Sequence, residues 1–157
     1  MKRLLLYVLI IALVLAVPVE RVDVAKLRPV EVIAIYKRDN RVILATDTDD
    51  TGEGATVIDA LENMRRTSPA VIYLDTAEFL LIEAAAMGEM ELFTERLKDS
   101  IRVCGLYGEV DLKRAAKYLP VHGNLPTLGR WNIGDALPVL QVNDDRLKIS
   151  ENSKNST

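Results

Sequence analysis

Behind Met1-Lys2-Arg3 runs an unbroken apolar stretch, Leu4 to Val17, with no charged side chain and no polar face in it. A helix on the surface of a soluble core needs one polar face, so these residues are unsuited to an ordinary core and the fold must be built from the residues after them. A short basic flank stays on the cytoplasmic side while an apolar segment partitions into the bilayer, which predicts the N-terminus inside and the body outside. The run of 14 residues is shorter than the roughly 17 to 25 that a spanning helix needs, although Pro18 and Val19 extend it. Residues 1–19 are therefore expected to be a signal peptide or an N-terminal membrane anchor. Val14 and Ala16 are small enough for cleavage after Ala16.

The remaining residues are in the range of one small folded domain. Loss of Lys2 and Arg3 would move the formal charge from −3 to −5, which excludes a nucleic-acid partner on electrostatic grounds. Cys104 is the single cysteine, so an exported body has no internal disulfide and depends on its core. The surrounding Arg102-Val103-Cys104-Gly105-Leu106 reads as a strand interior without an activating base.

The body alternates short strands and helices. Val30 to Tyr36 and Arg41 to Thr46, joined by Asp39-Asn40, read as a hairpin. Asp47 to Gly54 reads as a polar loop. Thr56 then opens a helix as N-cap, with Asp59 in the acidic position of a capping box and Val57, Leu61 and Met64 on one face. Ser68-Pro69 stops it, because the residue before a proline is pushed out of the helical region. Strands are predicted at Val71 to Leu74 and Ile101 to Tyr107; Glu78 to Ile82, with its short apolar run, suits either a strand or the start of a long helix, and the strand is favoured. Met87, Met90, Phe93 and Leu97 recur at helical spacing and predict a core-facing helix, and a further helix at Asp111 to Leu119 is expected to end at Pro120. From Pro120 onward Pro126, Gly129, Gly134 and Pro138 break up the chain, leaving 120–149 irregular with short strands at Pro138 to Val142 and Leu147 to Ile149. Residues 150–157 read as a disordered tail.

The chain lacks most of the motifs that carry chemistry. His122 is the only histidine, no Gly-x-Ser-x-Gly is present, and Gly52-x-Gly54 lacks the third glycine and lysine of a phosphate cradle. Asp47-Thr48-Asp49-Asp50-Thr51-Gly52 places a glycine at the sixth position of a calcium loop, but its twelfth position is Ile58 where a bidentate Glu is needed. A looser divalent-ion site, or a metal-dependent enzyme built on Asp47, Asp49 and Asp50, stays open beside a solvated loop. A third reading is a small-ligand domain capped by the Pro120 to Trp131 loop, where His122, Asn124 and Trp131 offer polar and stacking groups. No catalytic, cofactor-binding or metal residue is assigned, and no cofactor is expected.

One order of elements stands out. A strand with Val32-Ile33-Ala34-Ile35, then Gly52-Glu53-Gly54, the helix Thr56-Val57-Ile58-Asp59-Ala60-Leu61-Glu62-Asn63-Met64, Ser68-Pro69, Ile72-Tyr73-Leu74 and Phe79-Leu80-Leu81-Ile82 resembles the N-terminal region of the C-subunit family of spore germinant receptors. Ala136-Leu137-Pro138-Val139-Leu140 and Asp144-Asp145-Arg146-Leu147-Lys148-Ile149 look like the place where such proteins enter a second domain. The resemblance implies a non-enzymatic subunit beside membrane partners. Two departures stand against it: members carry a lipidated Cys after the apolar run, where this chain has Ala16-Val17-Pro18-Val19-Glu20, and they continue into further domains.

The expected architecture is α+β: a single domain over 20–149 with a mixed sheet of about four or five strands and two or three helices packed on one face. The expected function is that of a non-enzymatic, extracytoplasmic, membrane-associated interaction domain with a membrane or membrane-protein partner, exported and either tethered or released.

Overall fold

The computed structural model describes residues 27–150. The predicted export segment at 1–19 and the tail beyond Ser150 lie outside the described residues.

The fold starts from its hairpins. Strands β2 (Val32–Arg38) and β3 (Arg41–Thr46) pair antiparallel, and Asp39 and Asn40 between them take φ of 47° and 62°. That left-handed pair gives a turn whose twist matches the twist of the strands, and Asp and Asn tolerate it better than most residues. Asp144 and Asp145 repeat the device, with φ of 48° and 57°, between β8 (Val139–Asn143) and β9 (Arg146–Ser150). Residues that resemble an exit toward a second domain thus form the hairpin that closes one margin of the sheet.

The first helix, α1 (Val57–Thr67), has the predicted capping box: Asp59 N donates to the Thr56 side chain and the Asp59 carboxylate accepts from Thr56 N. It stops at Ser68, as the following proline requires. Its buried face is Val57, Ala60, Leu61 and Met64. The expected polar loop before it is only partly a loop, because Thr51–Gly54 forms strand β4 at the margin of the sheet. Gly52 and Gly54 let α1 lie against this strand. A Cβ on Gly52 would overlap the Ala60 carbonyl oxygen, and one on Gly54 would stand 2.5 Å from Ala60 N.

The main sheet is mixed and has seven strands, in the order β4-β3-β2-β6-β7-β8-β9, with β6 at Phe79–Glu83 and β7 at Arg102–Tyr107. Strands β2, β6, β7 and β8 are parallel; at the two sides β3 pairs antiparallel with β2, β4 antiparallel with β3, and β9 antiparallel with β8. The sheet exceeds the four or five strands expected, because β4 hides in a polar sequence and two short C-terminal strands join it. The predicted strand at Val71 is real but separate. As β5 (Val71–Tyr73) it pairs in parallel with β1 (Leu27–Pro29) to make a two-stranded sheet of its own.

The helices do not share one face, contrary to expectation. Ile33, Ile35, Leu80, Ile82 and Val103 form one core with α1, Met90 and Phe93; Val32, Ala34, Phe79, Leu81 and Cys104 form a second with Leu112, Ala115 and Leu119. Central strands apolar on every residue have two faces to cover, and helices lie on both. The predicted Met and Phe helix is short: a 3-10 turn at Ala84–Glu89 runs into α2 (Met90–Thr94), with Met90 and Phe93 fully buried. Helix α3 (Leu112–His122), capped by Asp111, carries Pro120 inside it. The proline forfeits one backbone bond in the last turn without ending the helix, and Gly123 N closes on the Leu119 carbonyl at 2.9 Å.

None of the helices among the described residues is long and apolar enough to cross a membrane.

Candidate functional site

The acidic run proves to be a set of fastenings at the amino ends of the parallel strands. Asp47 Oδ1 accepts from the amides of Glu31 and Val32, both at 3.1 Å, holding the start of β2. Asp50 is buried and accepts from Thr48 Oγ1 at 2.7 Å, Ser68 Oγ at 2.8 Å and Arg28 Nη1 at 3.3 Å. Burial alone would raise its pKa, but the two hydroxyls and the guanidinium outweigh that and hold the carboxyl below the usual range. This carboxylate thereby joins β1, the β3–β4 loop and the end of α1. Asp49 points away and pairs with Lys113 in the first turn of α3. The three carboxylates face three different sets of partners. Among the described residues no three His, Cys, Asp or Glu side chains converge to hold a metal ion.

The aromatic and polar loop after Pro120 is equally dispersed. Trp131 is buried in the first core and its ring N–H donates to the Asp135 carbonyl. His122 lies on the exposed end of α3, stacked on Tyr118 with ring centroids 4.4 Å apart, and Asn124 is exposed. The three do not converge: Trp131 is buried, whereas His122 and Asn124 face solvent. The loop's role is to cross from one face to the other: Val103 N donates to Pro126 O at 2.8 Å and Leu128 N to Ile101 O at 2.7 Å, before Leu128, Trp131 and Leu137 enter the first core. Cys104 sits inside β7 as expected, its thiol donating to the Pro138 carbonyl. Burial pushes that thiol up to about 12.

Two crevices lie at the opposite, carboxyl ends of the parallel strands, where ligands of open α/β sheets usually bind. One, of about 310 Å³, has walls of Ile43, Ala45, Val110 and Leu112 and a rim of Tyr36, Arg38 and Glu109. Arg38 is anchored by Glu83, whose carboxylate accepts from Arg38 Nη1 at 2.5 Å and from the Lys37 amide at 3.0 Å. Burial alone would raise Glu83; these bonds lower it below the usual carboxylate range. The Arg38 guanidinium also stands 5.7 Å from the centre of the Tyr36 ring. Burial, then the charges of Glu109 and Glu83, raise the Tyr36 phenol. Glu109 is exposed and has no ion-pair partner among the described residues. With Arg38 already neutralised by Glu83, the rim carries a net negative charge over an apolar floor.

The second crevice, of about 360 Å³, lies between the 3-10 turn at Ala84–Glu89 and the segment before β8, and Met87, Tyr107, Ala136 and Leu137 line it. Sequence reasoning missed both. Their residues sit at strand ends far apart along the chain, and Tyr36, Arg38, Glu83 and Glu109 form no motif. The one legible signal was indirect: a parallel arrangement of strands makes their carboxyl ends the place to look.

No protein-family model matches this chain, and neither a curated protein nor a solved structure matches it.

Proposed function

We propose that this chain is a non-enzymatic, extracytoplasmic interaction domain working at or near the membrane, tethered or released, and related to the spore-germination machinery through the C-subunit family of germinant receptors. The observation that carries the reading is the apolar run behind Lys2-Arg3, which stops ten positions before the first strand at Leu27. A folded unit so close behind a bilayer-seeking segment is built to work beside the membrane. The family link draws support from the position of its motif. Gly52, Gly54, the Thr56 cap, Leu61 and Ser68-Pro69 are the residues that let β4 and α1 pack and stop, so a pattern at these sites encodes a particular junction and not merely hydrophobicity.

Fractionation of cells expressing the full chain tests the localisation, with mass spectrometry of the mature N-terminus. The expected result is a membrane-bound chain beginning at Met1 or Lys2, or an exported chain beginning at Val17; an intact chain soluble in the cytoplasm ends the reading. Deletion of the gene in a spore-forming host is expected to slow nutrient-triggered germination, and unchanged kinetics would remove the germination link alone.

The crevice at Tyr36 and Glu109 favours a second reading, a small-ligand domain, whose ligand would be a primary amine with a short apolar body. Butylamine is expected to shift amide resonances of Ile43, Glu109 and Val110 where butanol and butyrate do not. Equal responses to all three would discard it.

A further inference from the structure

A contiguous apolar face surrounds the point where the described chain begins. In the parallel register Leu27 lies beside Val71 and Pro29 beside Tyr73, so their four side chains share the outer face of the small sheet. Val71 is 49% exposed and Tyr73 42%, while Ile72 between them is buried. Beside this face opens a cleft of about 470 Å³ bounded by Arg65, Pro69, Ala70 and Val71. Arg65 is exposed and has no ion-pair partner among the described residues. The nearby carboxylates of Asp47 and Asp50 are turned inward to their own partners. Lys98 lies against the turn that carries the exposed Asp75, its ammonium donating to the Asp75 carbonyl, and Glu31 and Glu78, joined by a backbone bond, are exposed acids on the adjoining turn, Glu78 being paired with Arg102.

We infer that this face, with Leu27, Pro29, Val71 and Tyr73 as its apolar surface and Arg65 at its rim, docks on an anionic lipid bilayer. The inference rests on the reading of residues 1–19 as a retained anchor. Three observations select the bilayer as occupant. The chain passes from Val17 to Leu27 in ten residues, a reach of at most about 35 Å when fully extended, so the tether keeps this face, where it joins the domain, nearest to the membrane. The carboxyl ends of the parallel strands lie a further ~20 Å away, the length of a six-residue strand. Tyr is suited to the headgroup level, where its ring is buried and its hydroxyl stays wet, and an uncommitted guanidinium beside it complements lipid phosphate. So small a face would not hold a free protein. On a tether the contact becomes intramolecular, with an effective concentration on the order of millimolar, and a weak surface suffices.

The test uses the full chain in phosphatidylcholine vesicles, with and without phosphatidylglycerol. A fluorescent thiol label is placed by Tyr73→Cys, by Val71→Cys as a duplicate, and by Tyr107→Cys at the far end of β7, where Tyr107 is 72% exposed. Native Cys104 is buried and does not compete. Headgroup-level nitroxide lipids are expected to quench the labels at 71 and 73 and to spare the one at 107. Arg65→Gln is expected to lower the ratio of docked to undocked chains about fivefold in the anionic vesicles only. Equal quenching at 73 and 107 on retained chains overturns the docking and leaves the anchor standing. A full chain that does not stay on vesicles overturns both.

Discussion

The two ends of the parallel strands are built on opposite plans. At the amino ends polar groups are consumed internally: Asp47 holds two amides, Asp50 holds Thr48, Ser68 and Arg28, and Thr76 Oγ1 bridges to Val30 with both of its contacts at 3.0 Å. At the carboxyl ends Glu83 fastens Arg38, but Glu109 has no ion-pair partner among the described residues and Tyr107 is largely exposed around open crevices. The conspicuous acidic run is thus a structural fastening, and the uncommitted chemistry sits where the sequence shows no motif. A dense cluster of carboxylates says less about function than the number of partners each one already has.

Substitutions can break this contrast. The largest effect is expected at the amino end from Gly52→Ala, because the new methyl would meet the Ala60 carbonyl and Met64 of α1; about 3 kcal/mol or more should be lost in urea unfolding. A loss below about 1 kcal/mol would mean that β4 and α1 separate easily. Asp50→Ala should follow at about 2 to 3 kcal/mol, since it strands two hydroxyls and a guanidinium. Glu83→Ala at the carboxyl end is expected to cost about 1 to 2 kcal/mol, because its partner Arg38 can turn to water. Glu109→Gln and Tyr107→Ser should each change stability by less than about 0.5 kcal/mol. If either matched Asp50→Ala, the carboxyl end would be as tightly fastened as the amino end and the contrast would collapse.

Acid unfolding sharpens the same comparison. Asp50 and Glu83 both have lowered pKa values in the folded chain, so each contributes stability that is present above the ordinary carboxylate value of about 4 and is lost as pH falls below it. The urea midpoint should be level from neutral pH to about 5 and then decline, and Asp50→Ala should reduce that decline more than Glu109→Gln does. An identical decline in both variants would show that Asp50 is not the controlling group.

Much of the local structure was legible along the chain because its causes are local. The Asp39-Asn40 turn, the Thr56–Asp59 capping box and the Ser68-Pro69 stop all depend on backbone preferences and bonds spanning a few residues. Three misreadings share a different cause. Thr51–Gly54 looks like loop because its small and polar residues suit a strand only when α1 is packed on it. Pro120 looks like a stop because a lost hydrogen bond is tolerated only in a last turn already held by Leu119 in the second core. The placement of helices on one face failed because an all-apolar strand is silent about which face each helix covers.

The sequence by itself determined the pieces: an apolar start distinct from the body, the hairpin at Asp39-Asn40, the helix capped at Thr56 and fully apolar central strands. Those come from periodicity and short-range geometry. Only the tertiary structure decided how each polar group is spent, since hydrogen bonds such as Ser68 to Asp50 and Arg38 to Glu83 span 18 and 45 positions and exist only once the sheet has assembled. The same holds for the Leu27, Val71 and Tyr73 face: it is a consequence of register between distant strands, and no window of sequence contains it.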